Sequence, residues 1–520
     1  MNRTRLRNAL GAALAGGVLL LAALPAWAQA PLPPPTVELI AGPGAPAEGV
    51  PAAPPAVPAA PPAAPVAPAA QTPPPAPPAQ PPALARPLFE TVWNNGLYIQ
   101  STDKRFVSHW GATVQYDFSW FSASPVLEQG LRIGEGIGKF NDGANLRRAR
   151  IFTEGTLWEA VDYKFEIEFS NGIGFSPAGT TNEATAGSVT NSPGPTDAWL
   201  NFKDVPLFGN VRIGNQKEWF SLEHLNNYRA LEFLERSFLF DLAQPTAFNN
   251  GFSPGISAFR TWAQQRVFTA VGAYKNESDL LGFGVGDGQY AVTGRVAALP
   301  VWRPDAKAFW HVGGAMSHRD PVEDRVQVRI RDNVRNAPFP LLPLLVNTNL
   351  LDAASQTLYN LETAAVWGPL TFQAEYTANV ISGARTAGLT GPPGPPQGTI
   401  FFQGYYAETM LFLTGESRTW NANYFFFNRV APLRPFRFRR TDCDGYGLGA
   451  WEVAVRYSYL DASNKAIRAG RLDSVTLGLN WYVNTNARLQ LNYDYTRVGD
   501  KSNSGQGHVS AVGLRTQFDF

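Results

Sequence analysis

From about residue 88 onward, the chain consists of segments of roughly ten residues in which apolar and polar side chains alternate. In residues 106–120, Trp, Tyr, Phe, Val and Ala side chains fall on one face, while His109, Gln115 and Asp117 fall on the other. Successive side chains of a β-strand point to opposite sides. Each segment therefore predicts a strand with one apolar and one polar wall.

Sixteen segments show this alternation. They lie at 106–120, 146–158, 162–170, 196–202, 210–218, 256–262, 267–274, 290–299, 306–317, 356–367, 370–380, 400–413, 449–460, 474–483, 487–498 and 507–520. Residues 325–331 also alternate, but Arg329, Arg331 and Arg335 favour a loop excursion there. Including them would give an odd count, which single-chain bacterial barrels avoid. The pattern predicts an all-β protein, a transmembrane antiparallel β-barrel of about sixteen strands.

The connections between these segments alternate in length, as tight turns at one rim and long loops at the other would require. Some are very short, such as Gly368-Pro369, and the long ones lie at 121–145, 171–195, 219–255, 318–355 and 381–399. Residues 414–448 break this rule because they fall on the short-turn rim. Either a long excursion leaves that rim, or the strand count is off by one.

A soluble β-sandwich would also alternate, but two features favour the barrel. Charged residues are frequent on the polar faces, and Trp, Tyr and Phe are frequent on the apolar faces. Such aromatic residues are expected in the girdles that lie at the two lipid interfaces of a barrel. The chain also ends on an alternating strand, Thr516-Gln517-Phe518-Asp519-Phe520, which resembles the end of outer-membrane barrels. We expect Phe520 to face lipid and to be recognised by the barrel-insertion machinery.

The first 87 residues have a different character. Residues 1–28 combine Arg3, Arg5 and Arg7 with an apolar run and the small-x-small site Ala26-Trp27-Ala28, which predicts a signal peptide. An uncleaved anchor is the alternative, but the run is shorter than the ~20 residues that a span needs. Residues 29–87 are rich in Pro and Ala and predict a disordered periplasmic linker, either a passive spacer or a tether to peptidoglycan. Residues 88–520 would form the barrel.

Composition narrows the class of protein. The chain has 43 Lys plus Arg and 42 Asp plus Glu, and removing residues 1–28 would leave 40 bases and a net charge of −2. Such a balance does not indicate a nucleic-acid partner. Beyond residue 28 no apolar stretch reaches the ~18 residues of a helical span. Cys443 is the only cysteine, so no intramolecular disulfide can form.

Enzyme motifs are absent from the sequence. His109, His224, His311, His318 and His508 lie on different segments without a Gly-x-Ser-x-Gly or His-Glu-x-x-His motif. The stretch 442–445 lacks most ligands of a calcium loop. We therefore expect no catalysis, no metal and no cofactor. A gated transporter would need a plug domain of more than ~100 residues, whereas residues 30–105 are mostly a proline-rich spacer.

Several short stretches carry a family resemblance. They are 147–150 (Arg-Arg-Ala-Arg) leading into 152–155, 214–217 followed by 220–223, 234–237, 367–370 with 374–376, 413–418, 449–452 through 456–457, and 478–482. In this order and spacing they resemble the phosphate-selective porin O and P family over roughly residues 100–520.

The resemblance implies an outer-membrane porin: a trimer of sixteen-stranded barrels whose third extracellular loop, here 219–255, folds inward and narrows the pore. It also implies that Arg and Lys side chains draw anions, phosphate or polyphosphate among them, along the wall. The forked guanidinium suits phosphate oxygens, and Lys acts as a point charge. The candidate pore-lining residues are Arg148, Arg150, Lys164, Arg212, Lys217, Arg229, Arg236, Arg260 and Arg295. Arg329, in a later loop, is expected to lie apart from this constriction.

The same strands and loop also carry acids, which leaves a second interpretation open. These are Glu154, Glu166, Glu168, Glu218, Glu223, Glu232 and Glu235. Each candidate base would then either contact anions in the pore or form a structural ion pair. The alternative function is a general or structural outer-membrane barrel with little anion selectivity, tethered to the envelope by its linker.

Overall fold

The computed structural model of the protein describes residues 88–130, 136–170, 193–243, 251–275, 290–335, 342–388, 393–437, 447–501 and 506–520. Within these residues, sixteen long strands form a closed antiparallel sheet. Each strand pairs with its neighbours along the chain, and the last pairs with the first from Val509↔Ala123 to Asp519↔Thr113. Closure leaves no free edge in the wall, which a barrel in lipid requires. The predicted signal peptide and linker lie outside the described residues.

The barrel strands are numbered here in chain order. They are β1 (Phe106–Ala123), β2 (Gly143–Leu157), β3 (Val161–Glu168), β4 (Gly194–Val205), β5 (Gly209–Lys217), β6 (Phe252–Trp262), β7 (Val267–Lys275), β8 (Tyr290–Arg303), β9 (Ala308–Arg319), β10 (Ser355–Trp367), β11 (Leu370–Thr386), β12 (Gly398–Phe412), β13 (Ala450–Asn464), β14 (Ile467–Tyr482), β15 (Ala487–Lys501) and β16 (Gly507–Asp519).

All sixteen predicted segments overlap these strands, so the predicted fold is confirmed. The main difference is at β13 and β14, which extend to a tight turn at 465–466 where the pattern had suggested a longer gap. Residues 325–331 form only the two-residue strands Arg325–Val326 and Arg329–Ile330, as expected of a loop. Other short strands in connections are Val346–Asn347, Leu351–Asp352, Trp420–Asn421 and Phe426–Phe427.

Among the described residues, helical structure is confined to connections. The helices are α1 (Pro125–Gln129), α2 (Leu222–Leu225) and α3 (Phe238–Ala243), with 3₁₀ turns at Tyr228–Ala230, Pro304–Ala306 and Val322–Asp324. Among the described residues, no helix is both long and apolar enough to cross a membrane.

The outer face of the wall is apolar and aromatic. The outward rings of Trp262, Trp310 and Trp367 lie near the short-turn end of their strands, and outward tyrosines such as Tyr405 and Tyr493 lie farther along. Amphipathic rings at two levels mark the two lipid interfaces. The outer face of the barrel is therefore suited to a bilayer.

A hairpin extends the wall below the seam between β1 and β16. Its strands, Phe89–Trp93 and Leu97–Ser101, pair with each other, and the second pairs with β1 from Leu97↔Trp110 onward. At the seam, the backbone of Phe520 exchanges two hydrogen bonds with Ala112. The Phe520 ring lies 5.7 Å from that of Trp93, measured between centroids. The C-terminal residue thus closes the barrel and packs against the hairpin.

The two rims differ as predicted. The connection between β10 and β11 is only Gly368-Pro369 at one rim, whereas the loops at 218–251 and 320–354 leave the other. One long connection, residues 413–449 between β12 and β13, starts and ends at the short-turn rim instead. The long excursion is therefore real, and the strand count was not off by one.

Candidate functional site

The 218–251 loop, described from 218 to 243 and at 251, crosses the lumen and touches opposite walls. At one side, Glu375 on β11 accepts hydrogen bonds from the backbone N–H groups of Leu222 and Glu223, at 3.2 and 2.6 Å. At the other side, the Tyr228 hydroxyl donates to Thr113 on β1 at 3.2 Å. The predicted inward loop thus has its counterpart in this segment, which occupies the middle of the pore.

The 320–354 loop packs onto the same segment. The Arg331 guanidinium donates to Asp241 of α3 at 2.7 Å, and Arg335 donates to the same carboxylate at 3.1 Å. Buried apolar side chains from both loops, among them Leu239, Leu242 and Ile330, form one cluster at the long-loop end of the lumen. The expectation that the Arg329 region lies apart from the constriction was therefore wrong, because this loop folds inward.

The two loops and the barrel wall meet at Glu235. Its carboxylate lies 2.7 Å from Arg147, 3.0 Å from Arg515, and 3.7 Å from both Arg148 and Arg335. Arg515 also binds Asp117 at 2.6 Å. We call this set the arginine junction: Arg147, Arg148, Arg331, Arg335 and Arg515 with Asp117, Glu235 and Asp241. Among the described residues, the junction brings five arginine side chains to three carboxylates.

Both loop carboxylates of the junction are held in the charged form. Burial raises the pKa of Glu235, but the surrounding arginines outweigh it and hold that pKa well below its ordinary range. Burial also raises the pKa of Asp241, but the charges of Arg331 and Arg335 outweigh it and lower that pKa. Both loop carboxylates are therefore negatively charged, and five arginine side chains lie around them and Asp117.

The 413–449 segment enters the lumen from the opposite rim. Trp420, Phe425 and Phe427 are buried against Phe268 of β7 and Phe309 of β9, with ring centroids 5.0 to 5.9 Å apart. Burying each ring stabilises the fold by about 1.5 to 3 kcal/mol, because apolar surface is removed from water. The segment also joins the 218–251 loop, because Phe427 N–H donates to Asn226 at 3.1 Å and Arg418 pairs with Glu232. Much of the lumen wall on this side is therefore covered.

Four of the nine predicted bases form ion pairs with lumenal acids. Arg150 contacts Glu166 and Glu168 at 2.7 and 2.6 Å, and Arg148 lies 3.7 Å from Glu235. In the same way, Lys164 lies 3.2 Å from Glu154, and Arg295 lies 2.6 Å from Glu362. These four side chains point into the barrel, and the acids that they contact at least partly neutralise their charges.

Lys217 and Arg236 are used differently, since both donate to backbone carbonyls. Lys217 Nζ lies 2.6 Å from the His224 oxygen and 3.1 Å from that of Asn226. Arg236 donates to the Glu223 and Asn226 oxygens, both at 2.8 Å. Carbonyls at the end of a helix attract cations. These two bases therefore fix the fold of the inward loop around α2.

Arg229 and Arg212 reach aromatic rings instead. Arg229 lies 4.7 Å from the centroid of Phe152 and donates to Asn227 at 3.4 Å. Arg212 lies 4.0 Å from the centroid of Trp199. Among the described residues, no carboxylate lies within 4.0 Å of either guanidinium. Their charge is not cancelled by a direct ion pair.

Arg260 lies on the outer face of β6, so its assignment to the pore lining was wrong. It pairs in register with Thr269, between the exposed Ile256 and Trp262, and its guanidinium lies 4.4 Å from the Trp262 centroid. The neighbouring Phe259 points inward and is buried under the 413–449 segment. Because the lumen is filled there, the inward face is apolar and the usual polar-inside rule fails.

The acids of the opposite wall are largely engaged by protein groups. Glu375 also accepts from the Tyr406 hydroxyl at 2.8 Å, and Glu452 accepts from Asn480 and Tyr482, both at 2.9 Å. His224 adds no charge, since burial and then the nearby Lys217 and Arg236 hold its pKa well below the ordinary value. Within the described residues, no group of three or more His, Cys, Asp or Glu side chains suits a metal ion.

The sequence interpretation missed most of the arginine junction. Arg147 was not predicted to face the lumen, because a shift of register between β1 and β2 turns it inward. Arg515 was not predicted either, because only the outward face of β16 entered the sequence interpretation. The inward alternation of Arg515 with Gln517 and Asp519 was a usable signal. Arg331 and Arg335 had no such signal, because only the folded loop shows where they point.

Comparisons with known proteins agree with this architecture. The family model described as phosphate-selective porin O and P matches residues 134–520, about three quarters of the chain. An uncharacterized protein of Caulobacter vibrioides is 28% identical over 83% of this chain and 77% of its own. Porin O of Pseudomonas aeruginosa is 25% identical over 82% of this chain and 90% of its own.

Among solved structures, OmpF of Salmonella typhi in complex with daunomycin is 10% identical, covers 82% of this chain and 100% of its own, and has a TM-score of 0.45. OprB of Pseudomonas putida is 11% identical over 80% of this chain and 95% of its own, with a TM-score of 0.44. The assignment rests on the sequence match over the barrel. The chain belongs to the phosphate-selective porin O and P family and is an outer-membrane porin.

Proposed function

We propose that this porin conducts small anions in preference to cations and that phosphate is among them. The arginine junction carries this proposal, because five guanidiniums gather at three of the described carboxylates where two inward loops meet the wall. A narrow, low-dielectric passage focuses the field of such an excess, so a few local charges set the ion preference. A mature net charge of −2 does not oppose this, because the charges outside the lumen are screened by salt.

The basic residues outside the junction also favour a positive lumen and hence a preference for anions. Arg212, Lys217, Arg229 and Arg236 have no carboxylate within 4.0 Å among the described residues. The nearby acids Glu375 and Glu452 each accept hydrogen bonds from loop or wall donors. Guanidinium groups also suit phosphate oxygens in geometry.

Competition between phosphate and chloride tests the phosphate part of the proposal. Chloride current through the purified protein in a planar bilayer should fall as inorganic phosphate is added at constant ionic strength and should recover when phosphate is removed. Sulfate at the same concentration is the control for charge alone. Equal effects of both anions would show that the pore prefers anions without selecting phosphate.

The assembly around the barrel is proposed on family grounds. We expect three copies to associate, residues 1–28 to be removed on export, and residues 29–87 to lie in the periplasm. Phe520 would then engage the insertion machinery during assembly. Light scattering in detergent, with the N-terminal residue determined by mass spectrometry, tests the trimer and the cleavage site together.

A further inference from the structure

Arg212 on β5 is surrounded by aromatic rings from four parts of the chain. Its guanidinium lies 4.0 Å from the Trp199 centroid on β4 and 5.1 Å from that of Phe259 on β6. It lies 5.5 Å from Trp219 of the inward loop and 5.7 Å from Tyr424 of the 413–449 segment. Barrel wall, inward loop and rim segment thus converge on one cation.

The Arg212 side chain keeps an unused hydrogen-bond donor. Arg212 is 9% exposed, and its Nε has no hydrogen-bond partner among the described residues. By contrast, the inward strand bases Arg148, Arg150 and Arg295 each have a carboxylate within 4.0 Å. The unused Arg212 donor is therefore available to an additional acceptor, and leaving a buried donor unmade costs free energy.

Two of the rings are only half-buried and keep accessible surface inside the lumen. Trp199 pairs in register with the inward Lys164, and its indole N–H donates to Asp197 at 2.8 Å, which fixes the plane of the ring. Tyr424 stacks nearly parallel to Phe426, at 5.8 Å and 17°. Next to them, Asn423 accepts a hydrogen bond from Gln265 in a short-rim turn, at 2.7 Å. The ring cluster therefore stands at the short-turn rim.

We infer that Trp199, Arg212 and Tyr424 form a binding site for organic anions that carry an aromatic ring. The anionic group would bind the free guanidinium donor, and the ring would stack on Trp199 or Tyr424. This inference rests on the proposed anion conduction and names a substrate class within it. Ring stacking adds affinity that neither chloride nor inorganic phosphate can gain.

Three phosphate probes separate the contribution of the ring from that of the charge: phenyl phosphate, methyl phosphate and inorganic phosphate. In the wild-type channel, the concentration of phenyl phosphate that halves the chloride current should be about fivefold lower than that of methyl phosphate, as expected for one additional ring contact. The variants Trp199→Leu and Tyr424→Leu should reduce this ratio toward one. Tyr424→Phe, which keeps the ring, should preserve it. Arg212→Gln should weaken block by both organic probes to a similar extent.

Trp262→Leu is the matched control, because that ring stacks on Arg260 at 4.4 Å on the outer face of the barrel. It should leave every half-blocking concentration unchanged. Equal block by phenyl and methyl phosphate in the wild type would overturn the aromatic site while leaving anion conduction intact. A cation-selective wild-type channel that no phosphate blocks would instead reject the proposed function itself.

Discussion

Arg229 and Arg260 are similar side chains on opposite sides of the wall, and they provide a matched test at the residue scale. Arg229 is half-buried inside the lumen without a carboxylate within 4.0 Å among the described residues, whereas Arg260 faces outward. A charge about 8 Å from the ion path, at an effective dielectric of about 40, is worth about 1 kcal/mol. We expect Arg229→Gln to lower the chloride-to-potassium permeability ratio about fivefold at low salt.

Arg260→Gln is the control for this measurement and should leave the permeability ratio within error of the wild type. Equal effects of the two substitutions would mean that Arg229 does not face the ion path. Arg229 and Arg260 also show what the sequence alone could not predict about single residues. Alternation places residues on two faces, but only the packing of Phe259 under the 413–449 segment shows which face is inside.

Glu235 is the second residue whose substitution should have a large effect. Its carboxylate is 4% exposed and is shared by four arginines. Removing one partner of a buried charge network typically costs about 3 to 5 kcal/mol. Glu235→Gln should therefore lower the midpoint of thermal unfolding in detergent and make the channel current unsteady. Glu159→Gln, which breaks an exposed pair with Arg105 at 3.6 Å, should cost about 0 to 1 kcal/mol.

The acid stability of the same network follows from its pKa values. The pKa values of Glu235 and Asp241 lie below their ordinary range, so these groups stabilise the fold fully above that range and less as pH falls through their depressed values. The difference in unfolding midpoint between the wild type and Glu235→Gln should thus be about the same at pH 7 and at pH 5. A difference that shrinks within that window would contradict a charged Glu235.

At the element scale, the strands were predictable and the lumenal connections were not. In a barrel wall, successive side chains alternate between lipid and lumen, so the alternation of apolar and polar residues located all sixteen strands. The loops at 218–251 and 320–354 follow no period, and their fold depends on partners far away in sequence, such as Glu375 for Leu222. Only the position and length of the 413–449 excursion could be inferred, not its aromatic contacts.

The 413–449 segment should reduce the width of the pore. Replacing residues 418–437 with a short Gly-Ser connection would remove the rings that pack on Phe268 and Phe309 and the pair between Arg418 and Glu232. We expect the single-channel conductance to rise roughly twofold, because a wider lumen carries more hydrated ions. Circular dichroism should still show the β-barrel. Unchanged conductance in a folded variant would mean that the ion path bypasses this segment.

The terminal strand closes the barrel through Phe520, which makes it the critical element for assembly. Its backbone bonds to Ala112 complete the seam, and its ring packs against Trp93 and Phe518. Phe520→Glu should reduce the fraction of heat-modifiable folded protein recovered from outer membranes. Phe208→Glu, at an exposed turn on the same rim, is the control for an added charge. Equal yields of both variants and the wild type would contradict a special role for the last residue.

For the whole molecule, we propose that the lumen of this porin favours anions because five arginines meet three described carboxylates where its inward loops touch the wall. The direct test is the zero-current potential of the wild-type channel between about 0.1 M and about 0.01 M KCl, where the wall charges are weakly screened. We expect the dilute side to become negative, because chloride crosses an anion-preferring pore faster than potassium does. A dilute side that becomes positive would show that the lumenal glutamates dominate, and it would contradict the proposed anion preference.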